Sequence, residues 1–105
     1  MRAILATITF ETDVPHPKVR GVVDGYQPHH RFEWADFLTT GIHRYGDECR
    51  HYPGETLKMR IEFPFWSYFG SNVSVGDCFE ISEASRVIGH GVVDEVLGPT
   101  DADAV

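Results

Sequence analysis

Val75-Gly76-Asp77-Cys78-Phe79-Glu80-Ile81-Ser82, continuing through Glu83-Ala84-Ser85-Arg86-Val87-Ile88-Gly89-His90-Gly91-Val92-Val93 to Leu97, decides the fold of this chain. Phe79 and Ile81 alternate with Cys78, Glu80 and Ser82, the period of a strand with one buried face. Glu83-Ala84-Ser85 is a short polar turn, and a β-branched run follows it. The stretch therefore reads as a β-hairpin. Gly89 and Gly91 flank His90 inside the second strand, and glycine there marks a bulge, a bend or a close backbone approach. A strand curving around a small barrel needs such points.

The same alternation recurs upstream. In 2–10, Ile4, Ala6, Ile8 and Phe10 share one face, while Ala3, Leu5, Thr7 and Thr9 share the other. Both faces are largely apolar, which suits a central strand. Thr56-Leu57-Lys58-Met59-Arg60-Ile61-Glu62-Phe63 alternates most cleanly, with Leu57, Met59, Ile61 and Phe63 inward. Pro15-His16-Pro17 marks a loop, and Pro28 belongs at an edge or bend because it cannot donate a ladder hydrogen bond. Residues 35–46 carry little pattern, Thr39-Thr40-Gly41 looks like a turn, and 42–51 read as a short polar strand. Strands joined by turns at this spacing predict an all-β fold, a closed six-stranded antiparallel β-barrel over 1–98 with a polar tail at 99–105.

The chain has 105 residues, room for one domain, and 42% are hydrophobic, enough for a core. Cys49 and Cys78 are too few for a disulfide framework and suit reduced thiols in the cytoplasm. No apolar run is long enough to span a membrane as a helix. The formal net charge of −7 opposes phosphate binding and favours a protein partner, a basic one in particular.

Phe79, Ile81, Glu83, Arg86, Gly89, Gly91, Val92, Val93, Val96, Leu97 and Gly98 stand in one register that resembles the final hairpin of the third, C-terminal domain of elongation factor Tu. Asp24-Gly25-Tyr26-Gln27-Pro28 with His29, His30 and Phe32, and the turn Pro53-Gly54-Glu55, extend the likeness. It runs in order from Arg2 to Gly98, densest at the C-terminal end. The resemblance implies the barrel and two roles, clamping the T-stem of aminoacyl-tRNA and packing against protein partners. Carried over by position, the RNA contacts fall on Lys18, Arg20, His29 and Arg86. Glu95 and Asp94 stand where the family places a lysine, which reverses the sign expected of a phosphate clamp. No G-x-x-x-x-G-K-[ST] loop occurs, which argues against nucleotide hydrolysis.

Six histidines raise the question of metal, yet Cys49-x-His51 is too short for usual zinc spacing. His29 and His30 read as solvated side chains on opposite faces of a strand, titrating near neutrality. Cys78, His90 and Asp77 are a conceivable hydrolytic set with no supporting motif. No cofactor, metal or catalytic residue is expected. Phe65-Trp66-Ser67-Tyr68-Phe69 is the densest aromatic run, and aromatic anchors are enriched at interfaces. With Tyr26 and Trp34, the residues Phe65, Trp66, Tyr68 and Phe69 form the expected protein-binding face; capping one barrel end is the competing role for the loop. If it is the binding face, serine at Trp66 and Phe69 should abolish capture yet leave a cooperative melt. The sequence thus points to a non-catalytic binding module in a translation-related setting, a mimic or decoy of the factor being one form. A tRNA- or ribosome-binding accessory domain is the alternative, and a small metal-dependent or hydrolytic enzyme the second.

Overall fold

The computed structural model describes residues 2–98, so the proposed tail at 99–105 lies outside the described residues. Seven strands form one sheet: β1 (Arg2–Phe10), β2 (His29–Phe32), β3 (Thr39–Thr40), β4 (Ile42–Arg44), β5 (Thr56–Phe63), β6 (Cys78–Glu83) and β7 (Arg86–Val96). Their order is β3-β2-β6-β7-β1-β5-β4, antiparallel throughout. The two edge strands are consecutive in the chain, with Gly41 alone between them. Thr39 and Thr40 pair with β2, and Ile42 to Arg44 pair with β5. One segment thus joins the two edges of the sheet and makes it a nearly closed barrel. The added strand is Thr39–Thr40: the sequence reads Thr39-Thr40-Gly41 as a turn, whereas the two threonines pair with β2 before the chain passes through Gly41 to pair with β5.

The segment breaks there for a steric reason. A Cβ on Gly41 would lie 2.6 Å from His30 Cε1 and 2.7 Å from Ile61 Cγ2, so only glycine lets the backbone pass over these inward side chains. Gly91 does the same work in β7, where a Cβ would meet the Phe79 ring at 2.5 Å. The hairpin read from residues 75–97 is β6 and β7, with register shifts at Ile81/Ser82 and, against β1, at Leu5/Ala6. Such irregularities let a sheet curve.

β1 lies between β5 and β7, the central place its two-faced apolar pattern suggested. Ile4, Ala6, Ile8 and Phe10 are buried, as are Met59, Ile61 and Phe63. They meet Phe32, Phe79, Ile81, Ile88 and Val93 in one core. The expected strand over 42–51 is shorter than read: it stops at Arg44, and His51 forms only an isolated bridge with Val22.

Candidate binding groove

The aromatic run after β5 folds into two short 3-10 turns, Trp66–Tyr68 and Gly70–Asn72. With three residues per turn, side chains three apart eclipse one another. The run therefore sorts into two pairs. Trp66 and Phe69 point into the barrel, buried with ring centroids 5.6 Å apart, and plug the end where Phe63 and Phe32 lie. Phe65 and Tyr68 point out, 54% and 84% exposed. This removes two of the six residues from the expected binding face. Trp66 and Phe69 are core, Trp66 lies under the Arg2 guanidinium, and serine at these two positions would unfold the barrel rather than spare its melt.

Phe65 and Tyr68 line a groove of about 290 Å³ with Phe37, Leu38 and the β3 threonines, and the edge of Phe69 reaches it. Phe37 and Leu38 are exposed apolar side chains that sequence reasoning passed over in the weakly patterned 35–46 stretch. Trp34 adjoins them: it stacks on Phe32 with planes 9° apart and meets Phe37 edge-on. Its indole N–H donates to Asp77 Oδ2 at 3.0 Å, which fixes the 33–38 loop to the turn before β6. The floor is His29 of β2, whose Nδ1 is buried without a hydrogen-bond partner among the described residues.

Tyr26 is elsewhere. Its ring packs on Phe10 and His43, and its hydroxyl donates to Glu83 Oε2 at 2.5 Å. Lys18 Nζ sits 2.7 Å from the same oxygen, and Arg86 binds the other one. Burial would raise the Glu83 carboxyl, but hydrogen bonds from Lys18, Tyr26 and Arg86 outweigh it and hold the group down at about 2. Burial, then the Glu83 contact, push the Tyr26 phenol upward. Two of the four expected RNA contacts, Lys18 and Arg86, thus converge on one carboxylate. His29 floors the groove and Arg20 is exposed on the 18–21 turn, so the four do not form one cationic surface.

The remaining polar groups fall into two sets. Cys78 and His90 share an open cleft of about 500 Å³ on the outer face. Their contacts run elsewhere than to each other: His90 Nδ1 meets Glu11, and Asp77 accepts from Trp34 and from the Ser74 amide at 2.8 Å. Among the described residues, no group of three or more His, Cys, Asp or Glu is placed to hold a metal ion. The second set is a surprise. His30 and His43 are fully buried, not solvated as expected for His30, with their Nε2 atoms 2.8 Å apart. Nearby, His51 is clamped between Asp47 (3.0 Å) and Glu55 (3.2 Å). Burial pulls His51 down, but its two carboxylate hydrogen bonds win and raise it above its ordinary value.

Comparison with protein-family models and with curated proteins finds no match. No helix of the described residues is long and apolar enough to cross a membrane.

Proposed function

We propose that this chain is a non-catalytic module that captures a protein partner in the groove between the 34–38 and 65–69 loops. The observation that carries the reading is the outward pair Phe65 and Tyr68 facing exposed Phe37 and Leu38 across an apolar cleft. These side chains contribute little to the core, and exposed aromatic and aliphatic groups gathered in one concavity are the usual material of binding hot spots. The likeness to the third domain of elongation factor Tu makes a cytoplasmic, translation-related setting the natural one, with mimicry of the factor as the specific form. Net charge of −7 favours a basic partner. The tRNA reading loses ground because Lys18 and Arg86 are turned onto the Glu83 carboxylate, which offsets one of their two charges.

The test is affinity capture from lysate with the native chain and a Phe65→Ser/Tyr68→Ser variant, each with and without RNase. A protein that is retained after RNase treatment and lost with the variant is the expected outcome. Equal capture by the variant sinks the groove, and tRNA that vanishes with RNase sinks the protein reading. Both side chains are exposed, so the variant's unfolding free energy should lie within roughly 0.5 kcal/mol of the native chain.

A further inference from the structure

His30 and His43 occupy the closing seam of the barrel. His30 lies on β2 and His43 on β4, so the pair spans the junction at which the 39–44 segment joins both sheet edges. That junction has the shortest ladders in the fold, two residue pairs between β2 and β3 and three between β4 and β5.

The protons can be assigned by elimination. Thr39 O only accepts, so His30 Nδ1, 3.4 Å away, carries a hydrogen and donates it. Neutral His30 then has a bare Nε2, which accepts from His43 Nε2–H at 2.8 Å. His43 Nδ1 is left bare and accepts from the Tyr45 hydroxyl at 2.9 Å. One relay, Tyr45 to His43 to His30 to Thr39, satisfies every ring nitrogen with both imidazoles uncharged. A proton on each ring would set two N–H groups against each other, and even one, accommodated by a tautomer shift of His43 toward the Tyr45 oxygen, puts a positive charge in the apolar interior.

The walls offer no compensation. β1 contributes Phe10, β5 contributes Ile61 and Phe63, and β6 contributes Phe79. The titratable neighbours are Tyr26, whose hydroxyl is committed to Glu83, Tyr45 within the relay, and His29 beside His30 on β2. Among the described residues, no carboxylate pairs with either ring. Burial accordingly drives His30 down to about 3 and His43 well below its ordinary value, with His29 adding to the first and His30 to the second.

We infer that the His30–His43 pair is an acid-released latch: the seam is held while both rings are neutral and opens when they take up protons. Both side chains titrate at ordinary values once the seam is open. The closed state therefore loses ground as pH falls below about 6.5, by about tenfold in the opening equilibrium per pH unit for each proton taken up. Thr39 and Thr40 also wall the groove, so release would dismantle it. That last consequence rests on the groove being the binding face; the latch does not.

Amide hydrogen exchange on the ¹⁵N-labelled chain between pH 7 and pH 5 tests this directly. The Gly41 and His43 amides, which donate to Pro28 O and Tyr26 O, report the seam, and those of Ile4 and Ile8 report the β1 ladder. The expected result is weaker protection at the seam than in β1, with seam protection factors falling tenfold to a hundredfold per pH unit. Seam protection that equals that of β1, or does not change with pH, overturns the latch. Imidazole nitrogen spectra of the native chain give a second reading. They should show His30 protonated at Nδ1 and His43 at Nε2, both still neutral in the folded form at pH 5; ordinary titration near pH 6.5 in the folded form overturns it. A His30→Phe/His43→Leu variant should lose the pH dependence, and the two native-chain measurements decide the matter if that core change prevents folding.

Discussion

Tyr45 holds the buried relay from outside. Its hydroxyl is the donor that satisfies His43 Nδ1, and the ring packs at a tilt against His51, with centroids 4.9 Å apart. Tyr45→Phe removes that donor and leaves an imidazole acceptor buried without a partner. It should cost about 1–3 kcal/mol in urea unfolding. Gly41→Ala forces a methyl group into the His30 and Ile61 side chains and should cost about 1–3 kcal/mol by overpacking. Ala84 is the converse case. It lies at φ 54° in the β6–β7 turn, where a side chain is strained. Ala84→Gly should raise stability by about 0.5–1 kcal/mol, read as a higher urea midpoint at unchanged slope.

Strands and loops differ in how far their sequence announces them. β1, β5 and the β6–β7 hairpin are long enough for a period of two to be unmistakable, and the barrel class follows from them. The closing segment is two residues, a glycine and three residues, too short for any period, so its role is visible only once β2 and β5 stand on either side of it. The candidate site was half legible. Spacing of three within Phe65-Trp66-Ser67-Tyr68-Phe69 separates an inward from an outward pair, but only if the run is known to be a 3-10 turn. His30 carried a usable signal: it shares strand parity with Phe32, which places both inward. Its partner His43, on a three-residue strand, carried none. The Glu83 cluster yields a test at this scale. Glu83→Gln keeps the shape but gives up the charge that Lys18 and Arg86 share. It should elute from heparin at higher salt than Glu95→Gln, an exposed change of equal net charge; identical elution would mean the two cations were never masked.

Across the whole molecule, two sets of histidines pull stability in opposite directions with pH. The His51 clamp has a raised folded value, so its contribution is complete below about pH 6.5 and fades as pH rises through that raised value. The buried pair has depressed folded values, so its contribution is complete above about pH 6.5 and is lost progressively as pH falls. Denaturant midpoints measured from pH 5 to pH 9 should therefore pass through a maximum near neutrality. Asp47→Asn with Glu55→Gln should erase the fall on the alkaline side and leave the acid side unchanged.

The central position of β1 also governs how this chain comes into being. It precedes the other described strands in the chain, and its neighbours β5 and β7 begin only at Thr56 and Arg86. At ordinary synthesis rates the second neighbour follows on the order of ten seconds later. Until β5 is made, the strand carrying Ile4, Ala6, Ile8 and Phe10 has both edges unpaired, and until β7 is made it has one, a state prone to pairing with another nascent copy. A barrel nearly closed when complete is thus most open to mispairing while it is being made, before β5 and β7 cover residues 2–10.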